Sequence, residues 1–187
     1  GVLLQNNKGD LGGAEPCYRK AIELDPKFVM AHGNLGIVLK NKGDMRGAEV
    51  CYRKAIELDP KFVMAHGNLG LVLKNKGDLR GAEACYRKVI ELDPKDADAH
   101  CSLGVLLQNH KGDLDGAEPC YREAIELDPK NAMAHCNLGV VLQNNKGDLD
   151  GAEPCYRKAI ELDPKFVMAH GNLGLVLKNK GDLRGAE

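Results

Sequence analysis

The sequence predicts an all-α chain, a right-handed α-solenoid of stacked antiparallel helix pairs. Three observations carry that prediction. Residues 29–62 recur as residues 63–96 with differences only at 37/71, 45/79, 50/84, 55/89 and 62/96. Self-similarity at such a period marks units that bury an apolar face only against their neighbours. Each unit also carries two runs of helical apolar spacing, and a short turn joins the runs, so neighbouring helices pack antiparallel.

The first run holds Ala31, Leu35, Val38 and Leu39 on one face, which predicts a helix A over residues 30–42. Gly43 tolerates the positive φ that ends a helix, and Asp44 supplies an acceptor for the free N–H groups of the next one. Ala48, Cys51, Tyr52, Ala55 and Ile56 then form the inward face of helix B, which must stop near Asp59 because Pro60 disfavours helical geometry in the residue before it.

These residues resemble the tetratricopeptide repeat, a helix-turn-helix unit with small and large residues at set places. With Val29 as position 1, Leu35, Gly36 and Leu39 match positions 7, 8 and 11, and Ala48, Tyr52, Ala55 and Pro60 match positions 20, 24, 27 and 32. The departure is at position 4, where the family's large aromatic is replaced by His32, His66, His100, His135 and His170. That exchange is expected to weaken packing between helices A and B.

The expected organisation is a single array over residues 1–187: a partial unit 1–28, full units 29–62, 63–96, 97–131 and 132–166, and a partial unit 167–187. Both ends fall inside repeats, which is expected of a window on a longer array, with ten or eleven helices counting the broken ones. Residues 1–49 match 139–187 except at 3/141, 12/150, 37/175 and 45/183, a higher-order period of four units. The units at 97–131 and 132–166 carry an extra residue before the Gly-Asp turn, together with Pro119 or Pro154 in helix B. A proline inside a helix costs roughly 3 kcal/mol, so insertion and proline are expected to compensate, with helix B starting later there than in the 34-residue units.

Net charge is −1, aromatic residues make up 4% of the chain, and no apolar run reaches bilayer-spanning length. This argues against nucleic-acid binding and membrane insertion. Cys17, Cys51, Cys85, Cys120 and Cys155 recur once per unit, as helices stacked roughly 8–10 Å apart, farther than a disulfide spans. They read as free thiols in a reducing compartment such as the cytoplasm. Repeating histidines give no helical metal-ligand spacing, and no phosphate loop or nucleophile-base set is present. The expectation is no catalysis, no metal and no cofactor. Glu49, Arg53 and Glu57 form a charge row on the solvated outer face, repeated in the other units.

The family resemblance implies a concave groove lined by helix A. Position 6 is Asn34, Asn68, Ser102, Asn137 and Asn172, and position 13 is Asn41, Asn75, Asn109, Asn144 and Asn179. This ladder is similar to that of the tetratricopeptide array of O-linked N-acetylglucosamine transferase, where asparagines hold extended peptide backbone. Glycine at position 5 in Gly33, Gly67 and Gly171 is expected to open the groove floor, and Lys40, Lys74 and Lys178 at position 12 to favour acidic partners. The lysine and arginine clamp with which some members hold a terminal carboxylate is missing. The expected function is a protein-binding scaffold for a partner protein or extended peptide. The alternatives are a substrate-recruiting arm of a larger enzyme, such as a glycosyltransferase, or a structural subunit. End-to-end self-association is also expected, through apolar terminal faces.

Overall fold

A computed structural model describes residues 11–181. It contains helices α1 (Leu11–Leu24), α2 (Val29–Asn41), α3 (Met45–Leu58), α4 (Val63–Lys76), α5 (Leu79–Leu92), α6 (Ala97–Leu106), α7 (Leu114–Leu127), α8 (Ala132–Lys146), α9 (Leu149–Leu162) and α10 (Val167–Asn179), with no strand among the described residues. The broken helices expected at Gly1 and Glu187 lie outside the described residues. The chain divides into two compact units, 1–94 and 95–187. In each, helix A packs on its own helix B, and helix B on the next helix A, as a helical-repeat solenoid requires.

The repeat closes on a contact that leaves no room for a side chain. A Cβ on Gly36 would lie 2.6 Å from Cε1 of Tyr52, and one on Gly70, Gly104 or Gly139 would meet Tyr86, Tyr121 or Tyr156 at 2.7–2.8 Å. Glycine at position 8 therefore lets helix A approach the face of the tyrosine of helix B. Tyr52, Tyr121 and Tyr156 are fully buried there, beside Ala48, Ala55, Val38 and their equivalents. Burying one such aromatic ring stabilises the fold by roughly 1.5–3 kcal/mol, which offsets the glycine's helix cost of about 1 kcal/mol.

The turns follow the expected chemistry. Gly43, Gly77, Gly112, Gly147 and Gly181 all have positive φ. Asp44, Asp78, Asp113 and Asp148 cap helix B by accepting from the backbone N–H of Gly47, Gly81, Gly116 and Gly151.

The expectation that helix B starts later in the longer units is overturned. It begins at the aligned residues Met45, Leu79, Leu114 and Leu149, each one residue after its capping aspartate. The aspartate N–H always returns to the same leucine carbonyl of helix A. The bond runs five residues back in Asp44→Leu39 and Asp78→Leu73, and six in Asp113→Leu107 and Asp148→Leu142. The inserted residue is thus absorbed at the end of helix A. In the third full unit it forms a π-helical turn, Leu107–Lys111, and in the fourth it lengthens α8. Pro119 and Pro154 stay within regular helix, with their rings exposed.

Histidine at position 4 has a different role from the one expected. Nε2 of His32, His66, His135 and His170 donates to the carbonyl of Pro26, Pro60, Pro129 and Pro164, at 2.9–3.1 Å. Each bond ties helix A to the turn that ends the preceding unit. A phenylalanine in the same place could pack but not bond.

The outer charge row differs from the simple i, i+4 chain. Arg53 pairs with Glu49 at 2.9 Å, but Glu57 pairs with Lys54. Glu49 is also bonded to Lys76 of the next unit, as Glu15 is to Lys42 at 2.7 Å and Glu153 to Lys180 at 2.6 Å. Within each compact unit these acids join successive repeats.

Candidate peptide-binding face

The candidate ladder residues stand on helix A because position 6 falls about one turn after the buried alanine at position 3 and beside the leucine at position 7, buried in all units but the last, at the border of the core stripe. Their surroundings are not uniform. In the first compact unit Asn34 and Asn68 are half-buried, and in the second Ser102 and Asn172 are half-buried while Asn137 is buried at 9% exposure. Asn41, Asn75, Asn109, Asn144 and Asn179 are all exposed. Lys40 and Lys74 are half-buried, and Lys178 is exposed.

One asparagine of the ladder is already bonded within the chain, and a second lies beside a thiol. Asn68 donates from Nδ2 to the Met64 carbonyl at 2.9 Å, while its Oδ1 accepts from Lys40 Nζ at 2.7 Å. The Asn172 side chain lies in hydrogen-bonding reach of the Cys136 thiol. A polypeptide on this face therefore competes with internal partners at Asn68.

Position 12 separates the two kinds of unit. Gln108 accepts from the Tyr121 hydroxyl at 2.8 Å, and Gln143 from Tyr156 at 3.0 Å. These glutamines are committed to the core. Lys40 cannot accept a bond, turns instead to Asn68, and leaves the buried Tyr52 hydroxyl with no partner. Burial pushes the Lys40 ammonium below its ordinary value, and burial with a smaller contribution from Cys51 pushes the phenol of Tyr52 above its own.

The glycine floor is only partly open. Around Gly33 a Cβ would meet Met64 Cε and Phe62 Cε1 at 2.8 Å, so the end of its own unit and the start of the next close that place. At Gly67 the nearest atom is Val89 Cγ2 at 3.9 Å, and at Gly171 nothing lies within 4 Å. Beside Asn34 an apolar cavity of about 360 Å³ is walled by Tyr18, Phe28, Met30 and Ala31, with the exposed Cys17 at its rim.

The cysteines are free thiols, with Cys51, Cys85, Cys101 and Cys136 buried. Burial pushes the Cys85 thiol up to about 11. No cluster of three or more metal-ligating side chains occurs among the described residues, and no described helix is long and apolar enough to cross a membrane.

The Gln–Tyr, His–Pro and Lys–Glu bonds were missed from sequence. Their signal was present as fixed offsets: 13 residues from Gln108 to Tyr121, six from Pro60 to His66, and 27 from Glu49 to Lys76.

Comparison with known proteins agrees with this geometry. The "TPR repeat" family profile matches residues 73–111, 109–146 and 144–181, and "Tetratricopeptide repeat" profiles match 29–62, 51–84 and 2–28. Among curated proteins no sequence match is found. Similar solved structures include YrrB, described as a TPR protein with an unusual peptide-binding site. It is 26% identical over 90% of this chain and 86% of that one, with a TM-score of 0.77. A MamA crystal structure is 30% identical over 81% and 88% of the two chains, with a TM-score of 0.73. MamA from Desulfovibrio magneticus RS-1, at 23% identity over 84% and 88% and a TM-score of 0.75, shows the shared fold alone. Repeat spacing, the Gly36–Tyr52 closure and these matches agree, and the chain belongs to the tetratricopeptide-repeat family.

Proposed function

We propose that the chain is a non-enzymatic protein-interaction scaffold, and that its helix-A face holds an extended segment of a partner polypeptide. The observation that carries the reading is the recurrence of amides at one helical position, the half-buried Asn34 and Asn68 in the first compact unit and the buried Asn137 and half-buried Asn172 in the second. A primary amide offers both donors and an acceptor, so it can bond peptide backbone with little regard for side chains. Each such bond contributes about 0.5–1.5 kcal/mol net, so useful affinity needs several rungs. The similarity to YrrB, whose description names a peptide-binding site, supports the same reading.

The test changes Asn34, Asn68, Asn137 and Asn172 together to alanine and measures capture of partner proteins together with the thermal melt. Capture is expected to be lost with helicity and melting temperature nearly unchanged. Undiminished capture would move the binding surface to the helix-B side or to the ends.

A further inference from the structure

Lys40 carries two costs that its counterparts in the longer units avoid, and we infer that it is the specificity element of this face. It binds an acidic side chain of the partner and thereby frees Asn68 for the partner's backbone. The inference deepens the peptide-binding reading above and rests on it.

The first cost is an ammonium without a counter-charge. Lys40 is half-buried, and its one hydrogen bond goes to the neutral oxygen of Asn68 at 2.7 Å. No carboxylate of the described residues pairs with it, whereas Lys42 and Lys76, on the outer side, pair with Glu15 and Glu49. Burial depresses its charged form accordingly. A partly desolvated cation favours an anion at its free coordination sites.

The second cost is the buried Tyr52 hydroxyl, which has no acceptor. In the longer units Gln108 and Gln143 occupy position 12 and remove that cost. A glutamine at residue 40 would supply the acceptor that Tyr52 lacks, so the lysine costs local stability. Departures of this kind concentrate at functional sites.

The geometry couples the two groups. While Lys40 holds Asn68 Oδ1, and Asn68 Nδ2 holds the Met64 carbonyl, one lone pair and one N–H of that rung are taken by internal partners. A glutamate or aspartate carboxylate draws the ammonium away, because it adds a full opposite charge where the Asn68 amide offers only a dipole. Asn68 Oδ1 then accepts a peptide N–H. Acidic sequence is thus read at Lys40, while the glutamines of the longer units, held by tyrosines, read none.

The experiment uses the full chain and two labelled probes of equal length, a peptide of alternating Glu and Ser and its alternating Gln and Ser counterpart, at low ionic strength. Wild type is expected to bind the acidic probe on the order of tenfold more tightly than the neutral one. Lys40→Gln and Lys40→Met should bind both alike, with affinity for the neutral probe no lower than wild type. Lys61→Gln, which removes an exposed lysine in the turn before α4, should keep the preference. Equal binding of both probes by wild type, binding of neither, or a preference that survives both Lys40 changes overturns the inference. The Asn34/Asn68/Asn137/Asn172 change decides the underlying reading independently, because it should weaken both probes.

Discussion

The Tyr121 hydroxyl donates to Gln108 at 2.8 Å, whereas the Tyr52 hydroxyl, equally buried two repeats upstream, has no partner. One exchange at position 12 accounts for the difference. Removing the acceptor with Gln108→Ala leaves a buried hydroxyl unsatisfied and should destabilise the chain by about 1–3 kcal/mol. Supplying one with Lys40→Gln should stabilise it by about 1 kcal/mol. Denaturant unfolding of both variants beside wild type checks the pair of signs; a loss of stability in Lys40→Gln would show that the glutamine does not reach Tyr52.

Gly36 and Gly67 occupy the same kind of helix but should respond oppositely to alanine. At Gly36 the new methyl would meet the Tyr52 ring at 2.6 Å, an overpacking worth typically 1–3 kcal/mol of destabilisation. At Gly67 the nearest atom is 3.9 Å away, so the helix preference of alanine should emerge as a gain of up to about 1 kcal/mol. Thermal melts of the two variants separate the packing effect from the propensity effect.

Glu49 should make stability depend on acid. Its carboxyl is held below the ordinary value of 4.5 by hydrogen bonds from Lys76 and Arg53. A carboxyl depressed in the folded state contributes stability that is present above 4.5 and is lost as pH falls through the folded value. Glu15 and Glu153 behave alike, through Lys42 with Arg19 and Lys180 with Arg157. The melting temperature should therefore fall as pH drops below that value, and less so in Glu49→Gln. Because the lysines and arginines that hold these carboxylates reach solvent, the difference should also shrink in high salt. A Glu49→Gln profile parallel to wild type would show that the pair adds nothing.

Thiol reactivity should divide the cysteines by burial. Cys17 is exposed, whereas Cys51, Cys85 and Cys136 are buried with thiols pushed up by desolvation. A disulfide reagent at neutral pH should label Cys17 rapidly and these three only on unfolding, because the thiolate is the reacting form. Rapid native-state labelling of Cys85 would contradict the burial.

The array was legible because its signals are local and repeated. Leu35, Val38 and Leu39 fix the face of helix A by spacing, and Gly43 with Asp44 fixes where helix B begins; the observed α2 and α3 differ from the expected spans by about one residue at each end. The same locality misled the account of the longer units. Proline next to a capping motif suggests a delayed helix, yet the Asp113 N–H reaches the Leu107 carbonyl across the inserted residue, and the turn keeps its register. A π-type closure is a choice among backbone bonds that residue types at the turn do not distinguish.

By itself the sequence determined the repeat, the family, the helix pairs, their turns and the residues presented at each helical position, since periodicity and capping act within a few residues. The tertiary structure alone decided what those residues do. Asn34 and Asn68 read alike, but only the stacking of α2 on α4 places Lys40 on Asn68 and Phe62 on Gly33. His66 reads as a defective aromatic until the preceding turn brings the Pro60 carbonyl to its ring. Hydrogen-bond partners between units depend on distances of a few tenths of an ångström between helices. Those distances are set by side-chain packing across the stack, which no single repeat contains.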